Sequence, residues 1–318
     1  MESVFPGRLG DGGRPSLASV GAPLRALPPV GTPGIADARH LPDDEFERAW
    51  ASIVLPGELK PRLARAAAVS LRLRATVGFD ALPLHGVLLL IGPPGTGKTT
   101  LARGLAHRIA RTVEGLGDFA FLEIDPHALA SSSLGRSQRA VEHLFATVIQ
   151  EQAALGPLVV LIDEVETLAT DRARLSMEAN PVDVHRAVDA ALVGLDRLAR
   201  RHDNLVIIAT SNFAEAIDPA LASRADLVQH LPLPDATARA AILRHTLEAV
   251  AVAFPGVGKV LETAEFDKAV VNAEGLDGRR LRKAVAAACS INAAGQADPN
   301  QLTGEDLVAA IAEAKEDQ

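Results

Sequence analysis

The chain has 318 residues and a net charge of −8; 48% of its residues are hydrophobic, 3% are aromatic and none is tyrosine. Such a length suits about two domains, with cores assembled from Ala, Leu and Val, and the acidic balance argues against a broad nucleic-acid footprint. No apolar run reaches the roughly 18 residues of a membrane helix, no charged-then-apolar leader opens the chain, and the single cysteine, Cys289, cannot form an internal disulfide and fits a reducing cytoplasm.

Residues 1 to about 41 repeat Gly and Pro ("GRLGDGGRP", "LPPVGTPG") without period, which predicts a disordered tail. A short helix is expected from Pro42-Asp43-Asp44-Glu45, with Phe46 and Trp50 on one face, and a second over about 57–76. Strands and helices then alternate. Strands are expected at 87–91, 119–124, 158–162, 205–209 and, shorter, 227–231. Helices are expected at 99–111, 137–150 and about 182–199. Strands so uniformly apolar, separated by helices, imply a parallel sheet covered on both faces. After Pro232-Leu233-Pro234 the pattern turns helical with no convincing strand. The expected organisation is therefore a tail (1–41), an α/β domain (42–234) and a small all-helical domain (235–318).

The chemistry begins at "IGPPGTGKTT", directly after the first apolar strand. Gly92, Gly97, Lys98 and Thr99 fit G-x-x-x-x-G-K-[ST]. Glycines let the loop Gly92-Pro93-Pro94-Gly95-Thr96-Gly97 curl so that the N–H groups of its non-proline residues point at one anion, and the helix carrying Thr99 and Thr100 adds its positive end. Lys98 would reach the β- and γ-phosphates, and the Thr99 hydroxyl would ligate Mg²⁺. The third strand ends in Asp163-Glu164. Ligand crevices lie outside the carboxyl ends of such strands, so Asp163 would hold Mg²⁺ and Glu164 would polarise the attacking water. Asn212, ending the fourth strand, can hydrogen-bond that water or the γ-phosphate. Arg224 and Arg279 are the guanidinium candidates for the transition-state charge, with Arg280, Arg282 and Arg186 behind them.

With these elements in this order, residues 45–318 resemble the AAA+ ATPases, whose fold is a P-loop parallel sheet sandwiched by helices and followed by a helical lid. The resemblance implies ATP as nucleotide and makes Gly92–Thr99 the Walker A loop, Asp163 and Glu164 the Walker B acids, and Asn212 sensor 1. Arg224 becomes an arginine finger acting on a neighbour's ATP, and Arg279 sensor 2. It also implies a ring, usually a hexamer. "LIDEVETLATDRA", "NLVIIATSN", "SRADLVQHLPLP" and "GLDGRRLRKAV" look like the HORMA-remodelling branch, the pachytene-checkpoint and thyroid-receptor-interactor type. That branch implies a HORMA-domain protein as substrate, opened to release its bound partner, and, in a compact bacterial member, resetting of cyclic-oligonucleotide antiphage signalling. The alternative is a nucleic-acid-linked machine such as a helicase or clamp loader, for which Arg136 and Arg139 would be the basic surface.

Two features depart from the family pattern. Only about 40 residues precede the ATPase, where eukaryotic members of the branch carry a folded adaptor domain. The loop expected to grip substrate, Ala130 to Arg136, has no aromatic and offers only Leu134. A second pore loop is expected over 172–181.

Overall fold

The computed structural model describes residues 25–113, 116–129, 136–167, 181–213, 215 and 217–316. Leu134, most of the expected second pore loop and the first 24 residues lie outside them. Six strands form one sheet: β1 (Ile35–Leu41), β2 (Val87–Ile91), β3 (Phe119–Ile124), β4 (Leu158–Ile162), β5 (Leu205–Ser211) and β6 (Leu227–His230). They are ordered β1-β3-β4-β5-β2-β6. Strands β2 to β6 pair in parallel, whereas β1 runs antiparallel along β3.

Alternation along each central strand splits the core. Val87, Leu89 and Ile91 face one layer; Leu88 and Leu90 face the other. The second layer holds α1 (Asp44–Ser52), α2 (Leu59–Thr76) and α3 (Lys98–Thr112). Asp43 caps α1 by accepting from Phe46 N at 3.0 Å, as its acidic start predicts. Phe46 then meets Phe121 edge to face, with centroids 4.8 Å apart. The first layer holds α4 (Arg136–His143), a π-helical stretch over Leu144–Ile149, α5 (Gln150–Leu155) and α6 (Pro181–Arg201).

Beyond the sheet, α7 (Ala236–Ala251), α8 (Ala264–Asn272), α9 (Gly278–Ala288) and α10 (Gly304–Glu316) pack around their own core of Leu243, Leu247, Leu281, Val285, Leu307 and Ile311. The helical character expected after residue 235 is thus observed, and among the described residues the strands all lie before it.

The disorder expected through residue 41 is corrected over its last part. Arg25 donates to the carbonyls of Gln152 (3.1 Å) and Pro157 (2.9 Å), and 35–41 is strand β1. Its side chains carry little strand signal because it is a polar edge: Arg39 pairs with Asp37 and Glu45, and the backbone ladder to β3 supplies the pairing. The helix expected over 137–150 also differs. It runs to Leu155 and widens through the π-helical stretch, where Phe145 fills the space left by the missing side chain of Gly194.

Helix α1 reaches the sheet by crossing α3 at Gly104, where a Cβ would lie 2.7 Å from Trp50 Cα and 2.8 Å from Trp50 N. Backbone cannot swing aside, so Gly104→Ala should destabilise the protein by about 1–3 kcal/mol in urea unfolding. Gly258→Ala, whose Cβ meets only Ala251 Cβ at 3.5 Å, should be close to neutral.

Candidate functional site

Three adjacent strand ends build the site. Strand β5 lies between β4 and β2, so the glycine-rich loop after β2 and the acids after β4 flank the end of β5. Gly92 N donates to Ser211 O at 3.2 Å, fixing where the loop departs. Gly95 and Gly97 then turn with φ of +79° and +86°, a region costly for any residue with a Cβ. Gly97 also caps α3 without a side-chain acceptor, so the first amides of that helix stay directed at the loop's interior.

Lys98, only 6% exposed, lies inside this loop and donates to the carbonyls of Gly92 (2.8 Å) and Pro93 (2.9 Å). Burial pulls its ammonium below the ordinary lysine range; the carboxylates of Asp163, Glu166 and Glu164 act against that.

Opposite the loop, one oxygen of Asp163 accepts from Thr99 Oγ1 at 2.8 Å and from Thr210 Oγ1 at 2.5 Å. Glu164 follows with φ +52°, the left-handed region that non-glycine residues rarely adopt. Its amide donates to Thr210 Oγ1 at 3.1 Å and its carbonyl accepts from Thr167 N at 2.9 Å. The kink turns its carboxylate out of the strand direction. Asn212 Nδ2 donates to Glu164 Oε1 at 3.2 Å, and Asn212 N donates to Glu166 Oε1 at 3.1 Å.

These groups line one cavity of about 180 Å³, walled by Pro94, Gly95, Gly97, Lys98, Thr99, Thr100, Asp163, Glu164, Thr210, Asn212 and Arg279. The small domain therefore completes it. Asp277 caps α9, accepting from Arg279 N at 2.8 Å and Arg280 N at 2.9 Å, and its carboxylate rests against Gly95, where a Cβ would come within 2.1 Å. On the far side of Gly95 a narrow apolar cleft is lined by Ile53, Leu55, Leu233 and Ile242. Arg282 closes that cleft by donating to Ser52 O at 2.9 Å.

The sequence-predicted residues Lys98, Thr99, Asp163, Glu164, Asn212 and Arg279 are thus gathered in one place. Arg224 is not. It precedes β6, where Asp226 N donates to Val87 O, so it sits at the amino end of β2. Five residues of strand, roughly 16 Å, separate that level from the phosphate loop. Its guanidinium grips Asp196 on α6 through Nε (2.7 Å) and Nη2 (2.8 Å) and donates to Ala220 O. This hydrogen-bonded pairing lowers the Asp196 carboxyl and raises the Arg224 guanidinium from their usual values. Arg186 is also remote, lining a cavity of about 520 Å³ between α4 and α6.

Two residues of the site belong to no sequence motif. Thr210 is 1% exposed and links both acids to β5; a polar residue closing an otherwise apolar strand was its only mark. His127, on the helical turn Pro126–Leu129 after β3, stands 3.2 Å from Glu164 Oε2.

The paired hydroxyl and carboxylate of Thr99 and Asp163 are hard oxygen donors of the kind Mg²⁺ takes alongside phosphate and water. Among the described residues no group of three or more His, Cys, Asp or Glu could hold a metal. No helix of the described residues is long and apolar enough to cross a membrane.

Residues 88–233 match the family model "ATPase family associated with various cellular activities (AAA)". The chain is 50% identical over 283 residues to CD-NTase-associated protein 6 of Pseudomonas aeruginosa, covering 89% of this chain and 93% of that one. It is 36% identical over 214 residues to the human pachytene checkpoint protein 2 homolog, covering 65% of this chain and spanning about half (49%) of that protein. Among solved structures, Caenorhabditis elegans PCH-2 superposes with a TM-score of 0.71 at 28% identity, covering 92% of this chain and 77% of that one. A chain of the Escherichia coli HORMA:CdnC:Trip13 complex shares the fold, with a TM-score of 0.69 at 20% identity over 88% of this chain and 95% of that one. By its fold, its site and these likenesses, the chain belongs to the AAA+ ATPases, in their HORMA-remodelling, pachytene-checkpoint branch.

Proposed function

We propose that the chain is one subunit of a homo-oligomeric ring, a hexamer on the family pattern, that couples ATP hydrolysis to partial unfolding of a HORMA-domain protein. Opening that protein releases its bound partner and resets a bacterial cyclic-oligonucleotide defence system in the cytoplasm. The observation that carries the proposal is the 180 Å³ cavity, which brings a phosphate cradle, a carboxylate–hydroxyl pair and an oriented glutamate into hydrogen-bonding distance. Two likenesses support the substrate. The relative with 50% identity is named for its association with a CD-NTase, and the Escherichia coli fold neighbour was solved together with HORMA and CdnC proteins.

The roles follow from the geometry. Amides of the loop and of the α3 N-terminus face the anion, and Lys98 exchanges its two carbonyl acceptors for phosphate oxygens. Thr99 and Asp163 would hold Mg²⁺, which would neutralise phosphate charge. Glu164 takes the proton of the attacking water. Asn212 holds the glutamate, and Arg279 brings positive charge from the small domain. Arg224 is too far from its own loop to act there and serves the neighbouring subunit. A nucleic-acid-linked role draws no support from the net charge of −8.

Glu164→Gln should bind ATP without turning it over, and such rings should retain a candidate HORMA-domain protein in a pull-down with ATP but not with ADP. Equal capture in both nucleotides would count against coupling. Thr210→Val keeps the size of the side chain but removes the hydroxyl shared by Asp163 and Glu164. Steady-state kinetics should show a turnover loss of about 10–100-fold with nucleotide binding largely kept.

A further inference from the structure

We propose that His127 is a positioning residue for the Glu164 carboxylate, an inference that rests on the ATPase assignment of that glutamate. The two carboxylate oxygens have separate holders. Asn212 Nδ2 donates to Oε1 at 3.2 Å, and His127 Nε2 lies 3.2 Å from Oε2. An ionised carboxylate only accepts, so the imidazole carries hydrogen on Nε2 and donates.

The need for a second holder comes from exposure. The Glu164 side chain is 48% exposed, and the last torsion of a glutamate has broad, shallow wells. A single hydrogen bond to one oxygen leaves the carboxylate free to swivel about that contact. A base must lie within hydrogen-bond reach of the water it deprotonates. Donors on both oxygens fix the plane of the group and leave its remaining lone pairs for that water.

His127 itself stands on a braced turn. Asp125 accepts from His127 N at 2.9 Å and from Ala128 N at 3.3 Å. Asp125 N in turn donates to Gly34 O at 3.0 Å. Leu129, 2% exposed, seats against Gly34, where a Cβ would come within 2.6 Å of Leu129 Cδ2. The entry to edge strand β1 thus buttresses the turn, so a segment remote in sequence from the phosphate loop sets where the imidazole stands. The histidine contributes little to the core, since its own side chain is 66% exposed. A structural explanation for its place is correspondingly weak.

The test compares full-length wild type, His127→Ala, His127→Gln and Glu164→Gln by steady-state ATPase assay and by affinity for a non-hydrolysable ATP analogue. His127→Ala should lower kcat by about 10-fold while KM and analogue affinity stay within about 2-fold. His127→Gln, whose amide can donate from a similar reach, should recover most of that loss. A His127→Ala kcat within about 2-fold of wild type overturns the proposal, as does equal loss in the Ala and Gln variants. If Glu164→Gln is inactive while His127→Ala is unaffected, only the positioning role fails. If Glu164→Gln turns over normally, the assignment of the base fails and this proposal falls with it.

Discussion

One carboxylate oxygen holds the site together. Asp163 Oδ1 accepts from Thr99 on the phosphate loop and from Thr210 on the strand between. Three chain segments far apart in sequence are thereby fixed to a single point. Thr210 passes the constraint on, because the same hydroxyl receives the Glu164 amide. The positive φ of Glu164 is tolerable only because both its backbone groups are held in this way. A parallel sheet makes the arrangement possible, since all three strand ends emerge on the same edge.

The small domain is tied to the same loop by close backbone approach. Asp277 lies against Gly95, and Arg282 reaches back to the end of α1. Burial lowers the Arg282 pKa, in keeping with a guanidinium partly withdrawn from solvent. The proposed phosphate cradle and Arg279 therefore share a contact surface. A change in the loop around bound phosphate would be transmitted to α9 directly, through atoms already in van der Waals contact.

Much of this was legible in the sequence because it rests on local patterns. Apolar runs marked β2 to β6, and the phosphate loop needs glycines at fixed spacing. What escaped detection depends on tertiary context. Strand β1 is a polar edge whose partner supplies the ladder, so its own residues give no alternation to read. The π-helical stretch adds a residue per turn without changing the apolar composition. Thr210 is ordinary until β5 is seen to lie between β2 and β4, and His127 becomes notable only when folding sets it beside Glu164. Arg224 was singled out by its sequence context, but its distance from its own loop was not legible there.

That distance carries the central claim. Within one protomer the cradle and the Arg224 guanidinium lie at opposite ends of β2, and the guanidinium is held by Asp196. On the proposed reading, hydrolysis requires two copies of the chain, one offering the cradle and its acids, the next the arginine. Mixing Lys98→Ala with Arg224→Ala subunits, each inactive alone, tests this most directly. The account predicts that mixed rings regain ATPase activity, because some interfaces pair an intact cradle with an intact arginine. No recovery at any ratio, with both variants shown to co-assemble, would contradict it.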